Sequence, residues 1–126
     1  MRVLLVEDHG DTLATTAAML RFAKYEVMTA PNGAIALEMA KAMPPDVVLL
    51  DIGLPGMDGY GVARALREQH GGRTLYIAAV TGYGTPADKQ RAAEAGIDAH
   101  LTKPAHPAAI VRLLEKVQSI AEKRKP

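Results

Sequence analysis

The sequence has no cysteine among its 126 residues, and its formal net charge is only +1. Without cysteine there are no disulfide bonds and no thiol chemistry, which suits a reducing cytoplasm. A balanced charge gives no sign of a nucleic-acid partner. The apolar start at residues 3–6 runs directly into Glu7 and Asp8, so it is too short for a signal peptide or a membrane span. We therefore expect a cytoplasmic protein without direct nucleic-acid or membrane contacts.

The chain has the length and composition of one globular domain. Its 126 residues can bury a proper core. Hydrophobic residues make up 48% and charged residues 23% of the chain, which is ordinary for a globular protein. No internal repeat, linker or low-complexity segment interrupts the sequence. We expect residues 1–126 to form a single domain.

Short apolar runs alternate five times with helical patterns. Strands are predicted at residues 2–6, 25–30, 47–50, 75–80 and 98–101, and a helix is predicted after each of them. Strands and helices that alternate in this way imply right-handed crossovers and a parallel sheet that is covered on both faces. The expected fold class is α/β.

Polar and turn-forming residues are expected to mark several helix ends. Either Asp11 or Thr12 can cap the first helix, and Asp58 can cap the third. Pro86 suits the first position of the fourth helix, and Gly96 suits its end.

The third predicted strand ends on a carboxylate. Residues 47–50 are all apolar and are followed by Asp51 and a loop rich in glycine and proline. In an open α/β sheet, ligands lie just outside the carboxyl ends of the strands. Asp51 therefore stands where a functional group would be placed, although this segment alone would equally allow a plain loop-capping role.

Other strand ends carry polar side chains as well. Glu7 and Asp8 follow the first strand, Thr81 the fourth and Lys103 the fifth. Together with Asp51 they bring three carboxylates, a hydroxyl and an ammonium group to one edge of the sheet. Three neighbouring negative charges repel one another and raise pKa values, so a cation is expected among them. Oxygen ligands favour a hard ion, and so sparse a site suits Mg²⁺.

These groups have the chemistry that phosphoryl transfer needs. A metal ion and Lys103 would offset charge on the phosphoryl oxygens, Thr81 would hydrogen-bond to one of them, and Asp51 would attack in line. Taken singly, Lys103 could be a surface lysine and Thr81 a turn residue. Their occurrence at the ends of different strands favours the functional interpretation.

Five segments, in chain order, carry a family pattern. They are Val6-Glu7-Asp8, residues 50–59 (Leu-Asp-Ile-Gly-Leu-Pro-Gly-Met-Asp-Gly), Thr81-Gly82, residues 95–98 (Ala-Gly-Ile-Asp) and Lys103-Pro104. With them the chain resembles the response-regulator receiver domains of bacterial two-component signalling, over essentially its whole length. The resemblance implies a CheY-like, flavodoxin-like fold: a doubly wound (βα)5 sheet with strand order 2-1-3-4-5.

The resemblance also implies a metal site and a phosphorylation site. Asp8 and Asp51 would bind Mg²⁺ directly, Glu7 would bind it through water, and the backbone carbonyl of Gly53 would be a further ligand. Asp51 would be the phosphoacceptor. The phosphoryl group would come from a phosphohistidine on a histidine kinase or a histidine phosphotransfer protein, and the downstream protein is not identified by the sequence. Such a domain assists its own phosphorylation and dephosphorylation but turns over no free substrate, so it is not expected to be an enzyme.

By the same resemblance, Thr81 is a switch hydroxyl and Lys103 contacts the phosphoryl group. The family's switch aromatic is replaced here by His100, which would couple the switch to pH. Gly53 and Tyr83 stand at positions that tune phosphoryl lifetime in this family. The sequence around residues 100–107 is similar to receivers of hybrid sensor kinases, whereas Met1 favours a stand-alone regulator. No DNA-binding domain is expected after the fifth helix.

The alternatives of the same fold class fit less well. A flavodoxin-like cofactor-binding module needs a phosphate cradle after the first strand, where Glu7 and Asp8 would repel a phosphate. A phosphatase with an aspartate nucleophile of the haloacid-dehalogenase type needs a second aspartate where Gly53 stands. A cobalamin-binding module could use His9, but the acidic surroundings and Lys103 do not suit it.

Overall fold

The structure, a computed structural model, describes residues 1–53, 58–70, 75–82, 86–103 and 105–123. Strands and helices alternate along these residues. The strands are β1 Arg2–Val6, β2 Glu26–Ala30, β3 Val47–Asp51, β4 Tyr76–Thr81 and β5 Ala99–Thr102. The helices are α1 Gly10–Phe22, α2 Gly33–Ala42, α3 Gly59–His70, α4 Pro86–Glu94 and α5 Pro107–Lys123. None of the described helices is long and apolar enough to cross a membrane.

The strands form one parallel sheet in the order β2-β1-β3-β4-β5. This confirms the predicted (βα)5 architecture. The chain runs outward from β1 to β2 and then crosses back to place β3 on the other side of β1. The strand order reverses there, so the carboxyl ends of β1 and β3 flank the crevice in which ligands bind in folds of this kind.

The core consists of two apolar layers, one on each face of the sheet. All five residues of β3 are buried, as expected for a strand in the middle of a doubly covered sheet. Even-numbered residues of β1 and β3, such as Leu4 and Leu50, pack in one layer with α2, α3 and α4. Odd-numbered residues, such as Leu5 and Leu49, pack in the other layer with α1 and α5.

Most of the predicted helix ends agree with the structure. The side chain of Asp58 accepts a hydrogen bond from the N–H of Tyr60 at 3.1 Å, as an N-cap should. Pro86 is the first residue of α4. Gly96 lies beyond the end of α4 with a φ of +86°, a conformation that glycine adopts without strain.

The predicted cap of α1 is wrong. The N-cap is His9, whose side chain makes no capping hydrogen bond, and the helix begins at Gly10. Asp11 and Thr12 therefore lie in the first turn. The N–H of His9 instead donates to Glu7 Oε1 at 3.1 Å, so the acidic loop bends back before the helix begins. Asp11 can still stabilise α1 through its dipole.

The predicted limits of β2 to β5 differ from the structure by one residue at one or both ends, and β3 and β4 end one residue later than predicted, at Asp51 and Thr81. β2 begins at Glu26 rather than Tyr25, because Lys24 has a positive φ of 75° and turns the chain just before it. β4 begins at Tyr76, one residue later than predicted. β5 spans Ala99–Thr102, because the side chain of Asp98 accepts a hydrogen bond from the N–H of Ile77 and holds this residue in the preceding turn.

A set of hydrogen bonds fastens α3 to the amino-terminal end of β4 and β5. Arg67 donates to the carbonyl oxygen of Gly96 through Nε at 2.9 Å and Nη2 at 2.7 Å. It also donates to the carbonyl oxygen of Leu75 and to Asp98 Oδ2, the latter at 2.5 Å. Asp98 Oδ2 also accepts from the N–H of Ile77 at 2.8 Å. We call this group of contacts the Arg67 clamp.

Candidate functional site

Asp51 is the last residue of β3, and both Lys103 and Gly53 donate hydrogen bonds to its side chain. Lys103 Nζ donates to Asp51 Oδ1 at 2.9 Å, and the N–H of Gly53 donates to the same oxygen at 2.9 Å. Asp51 is only 3% exposed. Because β3 ends within the buried centre of the sheet, the sequence places this carboxylate at the bottom of the crevice.

Lys103 is positioned by the end of β4. Its N–H donates to the carbonyl oxygen of Thr81 at 2.7 Å, which continues the pairing between β4 and β5. Burial, the largest influence, acts to lower the pKa of Lys103. The hydrogen bond to Asp51 and the charges of Asp51, Glu7 and Asp8 outweigh burial and leave this pKa above its ordinary value. Lys103 is therefore a permanent cation at the site.

Three carboxylates meet beside this lysine. Glu7, Asp8 and Asp51 each offer an oxygen, and these oxygens lie within 4.8 Å of one another. Glu7 is half-buried, Asp8 is exposed and Asp51 is buried. Glu7 and Asp8 come from the loop after β1, and Asp51 comes from the neighbouring β3, so the sheet order itself brings them together.

Three carboxylates and one lysine leave this cluster with an excess of acidic groups, and the pKa values reflect burial together with the contacts among these groups. Burial, followed by a hydrogen bond and charge repulsion from Asp51, raises the pKa of Glu7 to about 7. Burial also acts to raise the pKa of Asp51, but hydrogen bonds from Lys103, Glu7 and Gly53 and the charge of Lys103 leave it lowered. Asp51 thus stays ionised at neutral pH, whereas Glu7 is ionised in part of the molecules at pH 7 and in most of them at higher pH. A hard cation bound by these oxygens would restore the balance.

Thr81 lies at the same edge of the sheet, one strand further along. It is the last residue of β4 and is 5% exposed. Its neighbour Val80 pairs in register with Asp51, so Thr81 stands one residue beyond the carboxylate. The structure therefore brings Asp51, Lys103 and the acidic cluster into contact and places Thr81 on the adjoining strand end.

His100 lies on the face of the sheet that α4 covers. It pairs in register with Ala79, which belongs to the apolar layer beneath α2, α3 and α4, whereas Leu101 packs on the opposite face. Burial and then the positive charge of Lys89 lower the pKa of His100, and Asp88 opposes them. The side chain of His100 is thus half-buried at the contact between β5 and α4.

The structure also shows a feature that the sequence reasoning missed. A cavity of about 550 Å³ opens beside Asp51 between α1 and the start of α5. Thr12 and Thr16 form one wall, and their spacing of four residues was a signal that both side chains share one helix face. Tyr83, which was predicted to tune phosphoryl lifetime, and Pro104 of the family pattern lie outside the described residues.

The comparisons with known proteins agree with this geometry. The family model for the response regulator receiver domain matches residues 3–115. Chemotaxis protein CheY4 of Vibrio cholerae superposes with a TM-score of 0.87 at 31% identity, over 92% of this chain and 97% of CheY4. The receiver domain of sensor histidine kinase PA1611 from Pseudomonas aeruginosa, solved with a magnesium ion coordinated in its active-site cleft, gives a TM-score of 0.81 at 34% identity, over 91% of this chain and 94% of that one.

One curated relative is longer than this chain. The transcriptional regulatory protein PrrA of Mycobacterium tuberculosis is 34% identical over 123 residues, which are 98% of this chain but 51% of PrrA. The chain thus spans about half of that protein. Because the family model covers nearly all of the sequence, and the strand order and acidic edge agree with it, the chain belongs to the response regulator receiver domain family.

Proposed function

We propose that Asp51 accepts a phosphoryl group from a phosphohistidine of a histidine kinase or a histidine phosphotransfer protein. A carboxylate oxygen of Asp51 attacks phosphorus, the bond between phosphorus and the imidazole nitrogen breaks, and the imidazole leaves as the aspartyl phosphate forms. Water later attacks this acyl phosphate and releases inorganic phosphate. The observation that carries the proposal is the buried carboxyl group of Asp51 with Lys103 Nζ at 2.9 Å.

The same proposal gives each neighbouring residue a task. Lys103 is placed to neutralise charge on the transferred phosphoryl group. Thr81 would donate its hydroxyl proton to a phosphoryl oxygen and, with His100, would carry the conformational change toward α4. These described groups all serve the transfer of a phosphoryl group to Asp51 itself, so residues 1–126 would act as a single-domain switch rather than a turnover enzyme.

We further propose that Mg²⁺ is the cation of the acidic cluster. Glu7, Asp8, Asp51 and the carbonyl oxygen of Gly53 would hold it, and when bound it would offset charge on the phosphoryl oxygens. The three carboxylate oxygens within 4.8 Å of one another and the raised pKa of Glu7 support the choice of a hard cation. The magnesium ion reported for the PA1611 receiver points to the same metal.

The direct partners of this chain are proposed to be proteins in the cytoplasm. A phosphodonor protein must reach Asp51, and a downstream protein must recognise the phosphorylated form. The net charge of +1 is not the overall basic excess that is typical of DNA-binding domains. Direct nucleic-acid binding is therefore not part of the proposed function, although PrrA is a transcriptional regulatory protein.

The test is phosphorylation by a small phosphodonor. Acetyl phosphate with Mg²⁺ should add one phosphoryl group to the protein, detected by intact mass. Asp51→Asn should abolish the addition, whereas Asp58→Asn, in which the asparagine keeps the cap of α3, should be labelled like the wild type. Equal labelling of Asp51→Asn and the wild type would show that another residue is the acceptor.

A further inference from the structure

The cavity beside Asp51 has the dimensions of a small-molecule site. Its volume of about 550 Å³ falls within the range of roughly 300–1,000 Å³ that such sites have. It lies between α1 and the start of α5, on the sheet face that these two helices cover. The proposed phosphoryl transfer uses only the mouth of the cavity, at Asp51 and Lys103, so its apolar part between α1 and α5 calls for an explanation of its own.

The bottom of the cavity is apolar and is continuous with the phosphorylation site. Leu5 of β1, Leu49 of β3 and Val80 of β4 form its floor. Leu49 precedes Asp51 by two residues, and Val80 is the register partner of Asp51. Alternate residues of a strand share a face, so this floor leads directly up to the Asp51 carboxylate.

The mouth of the cavity is polar and unequally charged. Glu7, Asp51 and Lys103 line it together with the imidazole of His9, so two carboxylates face one ammonium group and one imidazole. Lys103 is already paired with Asp51 Oδ1, which also accepts from Gly53. An entering anion would meet both carboxylates, whereas an entering cation could pair with Glu7, which is not the carboxylate of the ion pair with Lys103. The charge of the mouth thus selects against acids and in favour of amines.

We propose that this cavity binds compact amphipathic cations, with an apolar body over Leu5, Leu49 and Val80 and an ammonium or amidinium group against Glu7. The two walls, Thr12 and Thr16 of α1 on one side and Ala105 with Ile110 on the other, enclose the apolar body. Glu7 also belongs to the acidic cluster, so the bound cation competes with a divalent metal ion. The site goes beyond the proposed function and does not depend on phosphorylation.

The first experiment compares three probes of similar shape and different charge. Phenethylamine, phenethyl alcohol and hydrocinnamate are titrated separately into the metal-free protein in EDTA, and amide NMR shifts are recorded. The amine should bind saturably with shifts at Thr12, Thr16, Val80 and Ala105, the alcohol more weakly and the carboxylate most weakly. The absence of saturable amine binding, or hydrocinnamate binding as tight as the amine, would overturn the proposal.

The second experiment fills the cavity. Thr16→Leu extends a side chain into it and should weaken phenethylamine binding by at least about tenfold. Thr15→Leu places the same side chain on the exposed side of α1 and should leave binding unchanged. Ala105→Leu, on the opposite wall, is a second filling variant in case Thr16→Leu does not fold. Equal affinities of the filled variants and Thr15→Leu would place the amine elsewhere.

The third experiment tests the shared carboxylate. Added Mg²⁺ should raise the apparent Kd of phenethylamine for the wild type, because both ions need Glu7. An unchanged Kd at saturating Mg²⁺ would refute the competition. Because the first two experiments are done in EDTA, a failure of Asp51 phosphorylation would overturn the proposed function and leave this site standing.

Discussion

Each end of the sheet holds an ion pair that joins distant parts of the chain. The pair at one end is electrically balanced, whereas the pair at the other end lies beside additional carboxylates. At the amino-terminal end, one guanidinium meets one carboxylate in the Arg67 clamp, and Asp98 Oδ2 also accepts a backbone N–H. At the carboxyl-terminal end, Lys103 contacts Asp51, but Glu7 and Asp8 add two more carboxylates. The first pair is complete in itself, whereas the second leaves negative charge unbalanced.

This difference distinguishes an ion pair that stabilises the fold from a charged group that can bind a ligand. Complete hydrogen bonding fixes a turn and contributes to folding. Unbalanced charge lowers folding stability but creates affinity for a cation. Repulsion from Asp51 contributes, after burial, to the raised pKa of Glu7. A surplus of one charge in a sheet crevice is therefore a better indication of a binding site than an ion pair alone.

The largest stability effect is expected at the complete pair. Arg67→Ala removes the donors to Gly96, Leu75 and Asp98 and should lower the free energy of unfolding by about 2–3 kcal/mol, the range for hydrogen bonds to charged groups. Urea unfolding of the metal-free protein measures it. Arg64→Ala, at an exposed position of the same helix, is the control. Equal losses in the two variants would show that the clamp adds nothing beyond helix propensity.

A second change should break the clamp from its other side. Gly96 has a φ of +86°, and a Cβ atom there would come within 2.9 Å of Arg67 Cγ. Gly96→Ala should therefore cost about 1–2 kcal/mol, from backbone strain and this contact together. The double variant with Arg67→Ala should lose less than the sum of the two single variants, because the contact is then absent. Strict additivity would contradict a direct clash.

The sequence predicted the functional end of the sheet better than the structural end. An apolar run that stops at Asp51, and polar residues after the other strands, are local patterns, and the parallel order then brings them together. The contact between Arg67 and Asp98 joins residues 31 apart, and no local pattern marks it. The cavity was missed for the same reason, because its walls come from α1 and α5, which meet only in the folded chain.

The predicted N-cap of α1 was wrong because several neighbouring residues could each mark the start of this helix. Asp11 and Thr12 are both good N-cap residues, but the N–H of His9 is bonded to Glu7, and the helix starts one residue before Asp11. The helix ends that were predicted correctly, at Asp58 and Gly96, had no such competitor nearby in the sequence. Element type was thus predictable from periodicity, whereas exact ends depended on side-chain contacts.

At the carboxyl-terminal end of the sheet, a substitution in the acidic cluster should raise the free energy of unfolding, and this change should be smaller than the losses at the Arg67 clamp. Asp8→Asn removes one of three like charges and should raise the free energy of unfolding in EDTA by about 1 kcal/mol. Thermal or urea unfolding measures it, with Asp11→Asn as the control that only loses a helix-dipole interaction. Added Mg²⁺ should stabilise the wild type more than Asp8→Asn. Equal Mg²⁺ shifts in both proteins would exclude Asp8 as a ligand.

The smallest effect is expected at His100, which lies on β5 between the two ion pairs. Its pKa is lowered by burial first and then by Lys89, so the unfolded chain binds a proton more readily. Stability should therefore fall as the pH drops from the ordinary histidine pKa near 6.5 toward the folded value, and it should be independent of this group at higher pH.

Two variants isolate this contribution from the acidic cluster. His100→Gln should remove the loss of stability in that pH window, whereas His106→Gln, at an exposed position before α5, should not. Lys89→Gln should raise the pKa of His100, read from its ring signals by NMR, because only Asp88 would then act on it electrostatically from α4. If His100→Gln and the wild type lose stability equally as the pH falls, the pH dependence of stability comes entirely from the carboxylates. The electrostatic destabilisation is then confined to the carboxyl-terminal edge of the sheet.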